Sequence, residues 1–220
     1  MKKLFLVAAM AAAVSPVMAS AASVGLTVTG NIVPTSCTPS FAGGTNVDLG
    51  QITLSSLSPT TQNNLPEHDI SLNIRCDAPA AVEFGVKDNR AATKAPNLVF
   101  SPTGFIGENL YYGLGNAGSS GVGLGGFGLR VGKATTDNHE RTFLVRTPDN
   151  LNWRLPGSRM VSNFPTTYSW GLNAAAGPAA ALVHTFEMKV AAAIRPTSQL
   201  PATTTSFKVD GSVIFDVFYL

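Results

Sequence analysis

Apolar and polar residues alternate with a period of two along much of this chain, which is the pattern of half-buried β-strands. In the stretch "DISLNIRC", every second residue from Ile70 to Cys76 is apolar or a cysteine, and the intervening residues are polar. No stretch of comparable strength shows the 3.6-residue period of an amphipathic helix. The alternation predicts strands at residues 24–32, 69–76, 81–87, 141–146, 181–195 and 210–220.

The connections between these strands are rich in Gly, Pro, Ser and Asn, which favour turns. Short strands joined in this way indicate an all-β fold, an antiparallel sandwich of the immunoglobulin kind. Such a domain takes about 100 residues, so we expect extra hairpins or long loops, between Ser101 and Pro165. We predict one sandwich domain at residues 34–220, preceded by an N-terminal strand at 22–33. A second domain is the alternative, but no linker stands out.

The first 21 residues have the pattern of a secretory signal peptide. A basic start at Lys2 and Lys3 precedes an uninterrupted apolar run from Leu4 to Val14, and Ala19-Ser20-Ala21 supplies a small-residue cleavage site. The run is much shorter than the ~20 residues that a membrane-spanning helix needs. We therefore expect an exported protein that begins at Ala22, with cleavage after Val17-Met18-Ala19 as the alternative.

Charge argues against two classes of partner. Without Lys2 and Lys3, the 15 basic residues fall to 13, which equals the number of acidic ones. A nucleic-acid or anionic-membrane ligand would require a surplus of Lys and Arg. We expect neither.

The two cysteines, Cys37 and Cys76, predict a disulfide, because an isolated pair in an exported protein is most simply bonded. A metal site would require further ligands nearby, and the three histidines are scattered. We predict no metal and no other cofactor.

Four polar or Gly-rich features have simple structural interpretations. Residues 113–132 contain nine glycines, three of which match a dinucleotide-binding pattern, but no helix pattern follows as that site requires. We predict a glycine-rich strand and turn where two backbones approach closely. His184 lies on the apolar side of its strand and is expected to be hydrogen-bonded at the sheet margin. His139, in "DNHER", and the stretch "KDNR" at 87–90 are expected in turns, and no catalytic constellation appears, so we do not expect an enzyme.

Both ends of the exported chain are apolar strands, which exposes the protein to edge-to-edge aggregation. Either the N-terminal strand folds beside the C-terminal one in the same molecule, or each chain donates its first strand to the next chain's sheet. The second arrangement generates a filament, because a head-to-tail contact that does not close continues indefinitely.

Taken together, the signal peptide, "LTVTGNIVPTSC", "LPEHDISLNIRC", the Gly-rich middle and the terminal "DGSVIFDVFYL" resemble fimbrial subunits of the chaperone–usher pathway. The likeness is greatest to the group associated with beta-fimbrial major subunits. It implies an incomplete sandwich that lacks its last strand and is completed by a donated one. It also implies that the disulfide ties the first two strands of the domain.

The resemblance assigns residues to two roles. The donor side chains would be Val24, Leu26, Val28 and Ile32. The strand bordering the acceptor groove, which a periplasmic chaperone would hold first, would carry Val213, Phe215, Val217, Tyr219 and Leu220. The implied partners are that chaperone, an outer-membrane usher and other fimbrial subunits. The implied locations are the periplasm during assembly and then the cell surface.

A different function is also open at this point. Trp153, Trp170, Tyr111 and Tyr112 are aromatic residues of the kind that stack on sugars, so a self-complemented carbohydrate-binding module or tip adhesin is the alternative. A host glycan or surface receptor would then be the partner.

Overall fold

The computed structural model describes residues 24–31, 35–100, 107–202 and 206–220. The predicted signal peptide and Ile32 lie outside the described residues. The chain divides into two units, Met1–Val33 and a larger compact unit, Pro34–Leu220. Residues 24–31 form no strand or helix, so the alternation in this segment does not produce the predicted regular structure.

The compact unit confirms the prediction of an all-β fold. Its strands are β1 (Cys37–Ala42), β2 (Asn63–Asn64), β3 (His68–Ala80), β4 (Val82–Asp88), β5 (Tyr112–Gly113), β6 (Gly125–Thr136), β7 (His139–Thr147), β8 (Asn150–Arg154), β9 (Thr167–Gly171), β10 (Ala181–Ile194) and β11 (Val213–Tyr219). The helical segments of the described residues are five 3₁₀ turns, at Leu54–Ser56, Ala91–Thr93, Glu108–Leu110, Gly118–Ser120 and Thr197–Gln199. None of the described helical segments has the length and apolar character of a transmembrane span.

The strands form one path, β1-β3-β10-β6-β7-β9-β4-β11, folded into two layers. The first layer contains β1, β3, β10 and β6, and the second contains β9, β4 and β11. Strand β7 links them, because Arg141 and the residues before it pair with β6, whereas residues from Thr142 onward pair with β9. All the strand ladders among the described residues are antiparallel, and the extra hairpins lie between Ser101 and Pro165 as expected.

The core lies between the two layers and is built around aromatic rings. The Phe84 ring of β4 packs against the Phe186 ring of β10, with ring centres 5.1 Å apart, and against Phe215 of β11 at 5.6 Å. Trp170 of β9 stacks on Phe186 at 5.3 Å. Offset and edge-on contacts of this kind add about 0.5–1.5 kcal/mol per pair beyond the area that they bury.

The Gly-rich stretch is a strand and turns, as predicted, and close backbone contact explains its composition. A Cβ atom added at Gly125 would lie 2.0 Å from the carbonyl oxygen of Ala193 on the paired strand β10, and one at Gly113 would lie 1.9 Å from that of Arg90. Side chains at these two positions would force the neighbouring backbone apart.

Strand β10 shows one departure from its predicted pattern. The period of two predicts that Leu182 lies on the apolar face with His184 and Phe186, but its side chain is 43% exposed. The pairing with β3 shifts register between Ala181 and Val183, and such a bulge turns the side chains on one side of it relative to the other. A period of two cannot reveal a bulge of this kind.

Candidate functional site

The first and last strands of the sheet path leave an open groove between them. Strand β1 pairs with β3, and β11 pairs with β4, but no ladder joins β1 to β11 among the described residues. Each strand therefore has an edge without a partner strand.

The groove has a volume of about 880 Å³ and an apolar floor. The floor comes from the inner face of the first layer, and it reaches the buried core of the sandwich. The floor residues are Leu72, Phe127, Leu129, Val190 and Ala192. Because these side chains belong to the core, whatever fills the groove would complete that core.

One wall of the groove is formed by β11 and the segment 206–212 that precedes it. The segment is fixed from outside the groove. The Arg90 guanidinium forms an ion pair with the Asp210 carboxylate at 2.9 Å, and the Asp210 N–H donates to the carbonyl of Leu114 at 3.0 Å. The Asn89 N–H donates to the carbonyl of Ser212 at 3.0 Å. These bonds hold the wall in place while its inner side remains open.

The opposite wall is formed by β1 and the loop 44–52. In this loop Val47 and Leu49 are half-buried against the core, while Asp48 between them is exposed. Within the described part of the chain, residues 45–52 make no backbone–backbone hydrogen bond, and the Gly50 N–H donates only to the Asp48 carboxylate, at 2.9 Å. The backbone polar groups of residues 45–52 are therefore not paired with other backbone groups of the described residues.

The residues predicted to border the groove fall into two groups. Val213 and Phe215 line it. Val217 packs half-buried against the core without lining the groove. Tyr219 is 52% exposed, and its hydroxyl accepts a hydrogen bond from the Cys37 N–H at 2.7 Å. Leu220 is also exposed, and its N–H donates to the carbonyl of Ala81 at 3.0 Å.

The predicted donor side chains are almost fully solvent-accessible. Val24 is 98% exposed, Leu26 is 89% exposed and Val28 is 87% exposed. Because these three alternating side chains are exposed, a partner that buried them would gain nearly their full free energy of burial. At about 1.5–3 kcal/mol for each side chain, that is several kcal/mol.

The predicted disulfide is present between Cys37 and Cys76. The two residues are register partners on β1 and β3, which are the first strand of the domain and the next long one. Since β1 has only β3 as a partner strand among the described residues, the bond fixes the strand that forms one wall of the groove.

His184 is buried and hydrogen-bonded, as expected. The Trp170 indole N–H donates to Nδ1 at 3.0 Å, which leaves Nε2 to carry the proton and donate to the carbonyl of Ala80 at 3.0 Å. Both bonds require a neutral imidazole. Burial lowers the pKa of His184 and thus favours that form, and hydrogen bonds to backbone carbonyls partly oppose the shift.

The other polar motifs lie in turns. His139 begins β7 at the tip of the β6–β7 hairpin, next to Asp137 and Asn138, which both have positive φ. The stretch 87–90 ends β4 and enters a turn, as expected, although the sequence does not reveal that the Asp88 side chain is buried there. That carboxylate accepts the Gly113 N–H at 3.0 Å. The described residues contain no group of three or more His, Cys, Asp or Glu placed to hold a metal ion.

The aromatic residues that suggested a sugar-binding face do not form one. Trp170, Tyr111 and Tyr112 are buried in the core. Trp153 is half-buried, and the Arg146 guanidinium lies over its ring, 4.9 Å from the ring centre. Three of the four rings are thus enclosed, and Arg146 lies over the fourth.

Sequence reasoning missed the loop wall and part of the floor. Val47 and Leu49 do alternate with polar neighbours, but the run is short and glycines precede and follow it. Phe127 and Leu129 lie within the Gly-rich stretch, where the glycines obscure the period of two. The alternation of these two pairs with other residues is the sequence signal that could have predicted their burial.

Two comparisons relate the chain to other proteins. Residues 26–128 match the family model described as "Protein of unknown function (DUF1120)". This range includes the predicted donor residues Leu26 and Val28, the disulfide, the loop wall and the beginning of β6. The chain is also similar to Protein GltF of Escherichia coli (strain K12), with 28% identity over 241 residues that cover 95% of this chain and 93% of the relative. Neither description names an activity, a ligand or a partner.

Proposed function

We propose that this protein is a structural, non-enzymatic subunit of a surface fimbria that polymerises by strand donation. The N-terminal segment of one copy enters the groove between β1 and β11 of the next, and the chain of such contacts contributes to cell adhesion. The observation that carries the proposal is the groove, with its apolar floor and two strand edges that lack partners among the described residues.

The groove matches what an added strand requires. The β11 edge and the loop 44–52 offer backbone groups on both sides, so that a strand between them would form hydrogen bonds to each. An apolar floor would receive alternate side chains of that strand and so fix its register, because a shift of one residue would turn the apolar set towards solvent.

The N-terminal segment has the complementary pattern. Val24, Leu26 and Val28 point to one side of an extended strand, and Thr27 and Thr29 point to the other. The distance from Val24 to Val28 is about 13 Å in a strand, at ~3.3 Å per residue. These exposed side chains would reach a core that is already formed.

Strand donation also defines the assembly partners and locations that we propose. Before polymerisation, an apolar groove requires temporary cover, which a periplasmic chaperone would provide with its own strand. An outer-membrane usher would then exchange that strand for the segment of the next subunit and pass the filament to the cell surface. Both partners follow from the resemblance to fimbrial subunits, together with the predicted signal peptide.

The test is to delete Ala22–Thr29 and to follow filaments by electron microscopy and by ladders of undissociated subunits on gels run without heating. The variant should fold and form no polymers. Two single substitutions provide a matched pair: Leu26→Asp should abolish polymers, and Thr27→Asp, on the other side of the strand, should preserve them. Normal filaments from the deletion variant would refute the donor assignment.

A further inference from the structure

Two side-chain contacts join β1 to β11 beside the groove: the hydrogen bond from the Cys37 N–H to the Tyr219 hydroxyl, at 2.7 Å, and an edge-on contact between the rings of Phe41 and Phe215, with centres 5.1 Å apart. The two contacting residues are four positions apart on each strand, and their order along β11 is the reverse of their order along β1. The two strands therefore lie antiparallel and are joined by side chains where a ladder is missing.

These contacts determine which part of β11 borders the groove. Val213 and Phe215 line it together with the segment 206–212, whereas Val217 and Tyr219 lie beyond the Phe41–Phe215 contact and do not. Tyr219 is half exposed, so its hydroxyl is not confined by packing and holds the Cys37 N–H through one hydrogen bond. That N–H belongs to the edge strand on the groove's opposite wall.

We infer that Tyr219 is a specificity-determining residue that closes one end of the groove and restricts it to a short strand with three alternating apolar side chains. This inference rests on the proposed strand donation, because it defines which strand the groove accepts. A strand that extended farther would have to displace the Tyr219 hydroxyl from Cys37 and separate the two phenylalanine rings.

The N-terminal segment carries a correspondingly short apolar pattern. It supplies three apolar side chains in alternation, at Val24, Leu26 and Val28, and the next position on that face is Gly30, which has no side chain to bury. Only eight residues, 22–29, lie between the predicted cleavage site and this glycine. A short donor and a groove closed at one end are therefore matched.

The test measures how the length of a peptide affects its binding to the monomeric exported chain, by fluorescence anisotropy. The probes are two synthetic peptides: residues 22–29, and residues 22–33 carrying Gly30→Val, which presents five alternating apolar side chains. The wild-type protein should bind both peptides with similar affinity. Tyr219→Phe removes only the hydroxyl, and it should bind the longer peptide roughly 2- to 13-fold more tightly, which is the change that one hydrogen bond corresponds to. Its affinity for the shorter peptide should stay unchanged.

Two further variants complete the design. Phe41→Leu loosens the ring contact and, like Tyr219→Phe, should raise the affinity for the longer peptide relative to the shorter one. Phe218→Leu changes a neighbouring side chain on the outer face of β11 and should leave both affinities unchanged. The inference is overturned if the wild-type protein already gains several-fold from the longer peptide, or if neither Tyr219→Phe nor Phe41→Leu produces such a gain. Failure of both peptides to bind the wild-type protein would instead refute the proposed strand donation.

Discussion

Replacing His184 by leucine should destabilise the domain and remove part of its pH dependence. The leucine side chain fits an apolar site, but it leaves the Trp170 indole N–H and the Ala80 carbonyl without their partner. A buried polar group that loses its hydrogen bond costs about 1–3 kcal/mol. With two such groups, we expect the free energy of unfolding to fall by about 2–6 kcal/mol near neutral pH.

The pH dependence follows from the lowered pKa of His184 in the folded state. Below the ordinary value near 6.5, the unfolded chain binds a proton at this residue more readily than the folded protein does. The stability contributed by neutral His184 is therefore complete above pH ~6.5 and is lost as the pH falls towards the lower folded-state pKa, by up to about 1.4 kcal/mol per pH unit. His184→Leu should lack this loss.

Urea denaturation followed by tryptophan fluorescence, at about pH 5 and about pH 7.5, measures both effects. His139→Leu is the matched control, because His139 lies exposed at a hairpin tip and should change stability little at either pH. The reasoning fails if His184→Leu is as stable as the wild-type protein at neutral pH, or if its stability falls on acidification as steeply as that of the wild type.

Two more predictions concern the groove's edge and the Gly-rich strand. Replacing both Cys37 and Cys76 by alanine should lower the free energy of unfolding by about 4 kcal/mol, because the bond closes a loop between cysteines 39 positions apart. A reductant should destabilise the wild type by the same amount and leave the variant unchanged. A loss below about 1 kcal/mol in urea denaturation would contradict this. Gly125→Ala should destabilise by at least about 1–3 kcal/mol, because its Cβ would press on the Ala193 carbonyl, whereas Gly157→Ala, in open space, should be nearly neutral in the same assay. Equal effects of the two glycine substitutions would show that close backbone contact is not what requires glycine in β6.

The sequence predicts much of the fold because most strands have one buried face. The strands at residues 69–76, 81–87 and 141–146 form with a small change of bounds as β3, β4 and β7, since burial of alternate side chains dominates there. The same pattern in residues 24–31 does not produce a strand. Alternation records that a strand can be half-buried, but a strand also requires a neighbour with which to form hydrogen bonds.

The candidate site is less predictable because it depends on which edges remain unpaired. Every second residue of β11 from Val213 to Tyr219 is apolar or aromatic, yet of these four residues only Val213 and Phe215 border the groove. The division arises from the contact of Tyr219 with Cys37, a residue at the opposite end of the domain. A pattern along one strand contains no information about such a distant partner. The sequence also fails to predict that three of the four candidate sugar-stacking rings are buried, because a single aromatic residue gives the same sequence signal in a core and on a surface.

The pairing of β11 with β4 has a consequence for the order in which the domain becomes stable. Strand β4 ends at Asp88 and β11 begins at Val213, so 213 − 88 = 125 positions separate two strands that are neighbours in the sheet. Until β11 has been synthesised and has paired, the edge of β4 can form non-native hydrogen bonds with strands of other molecules. Contacts this distant in sequence are also slow to form. Commitment to the native sheet is thus postponed until nearly the whole domain has been made.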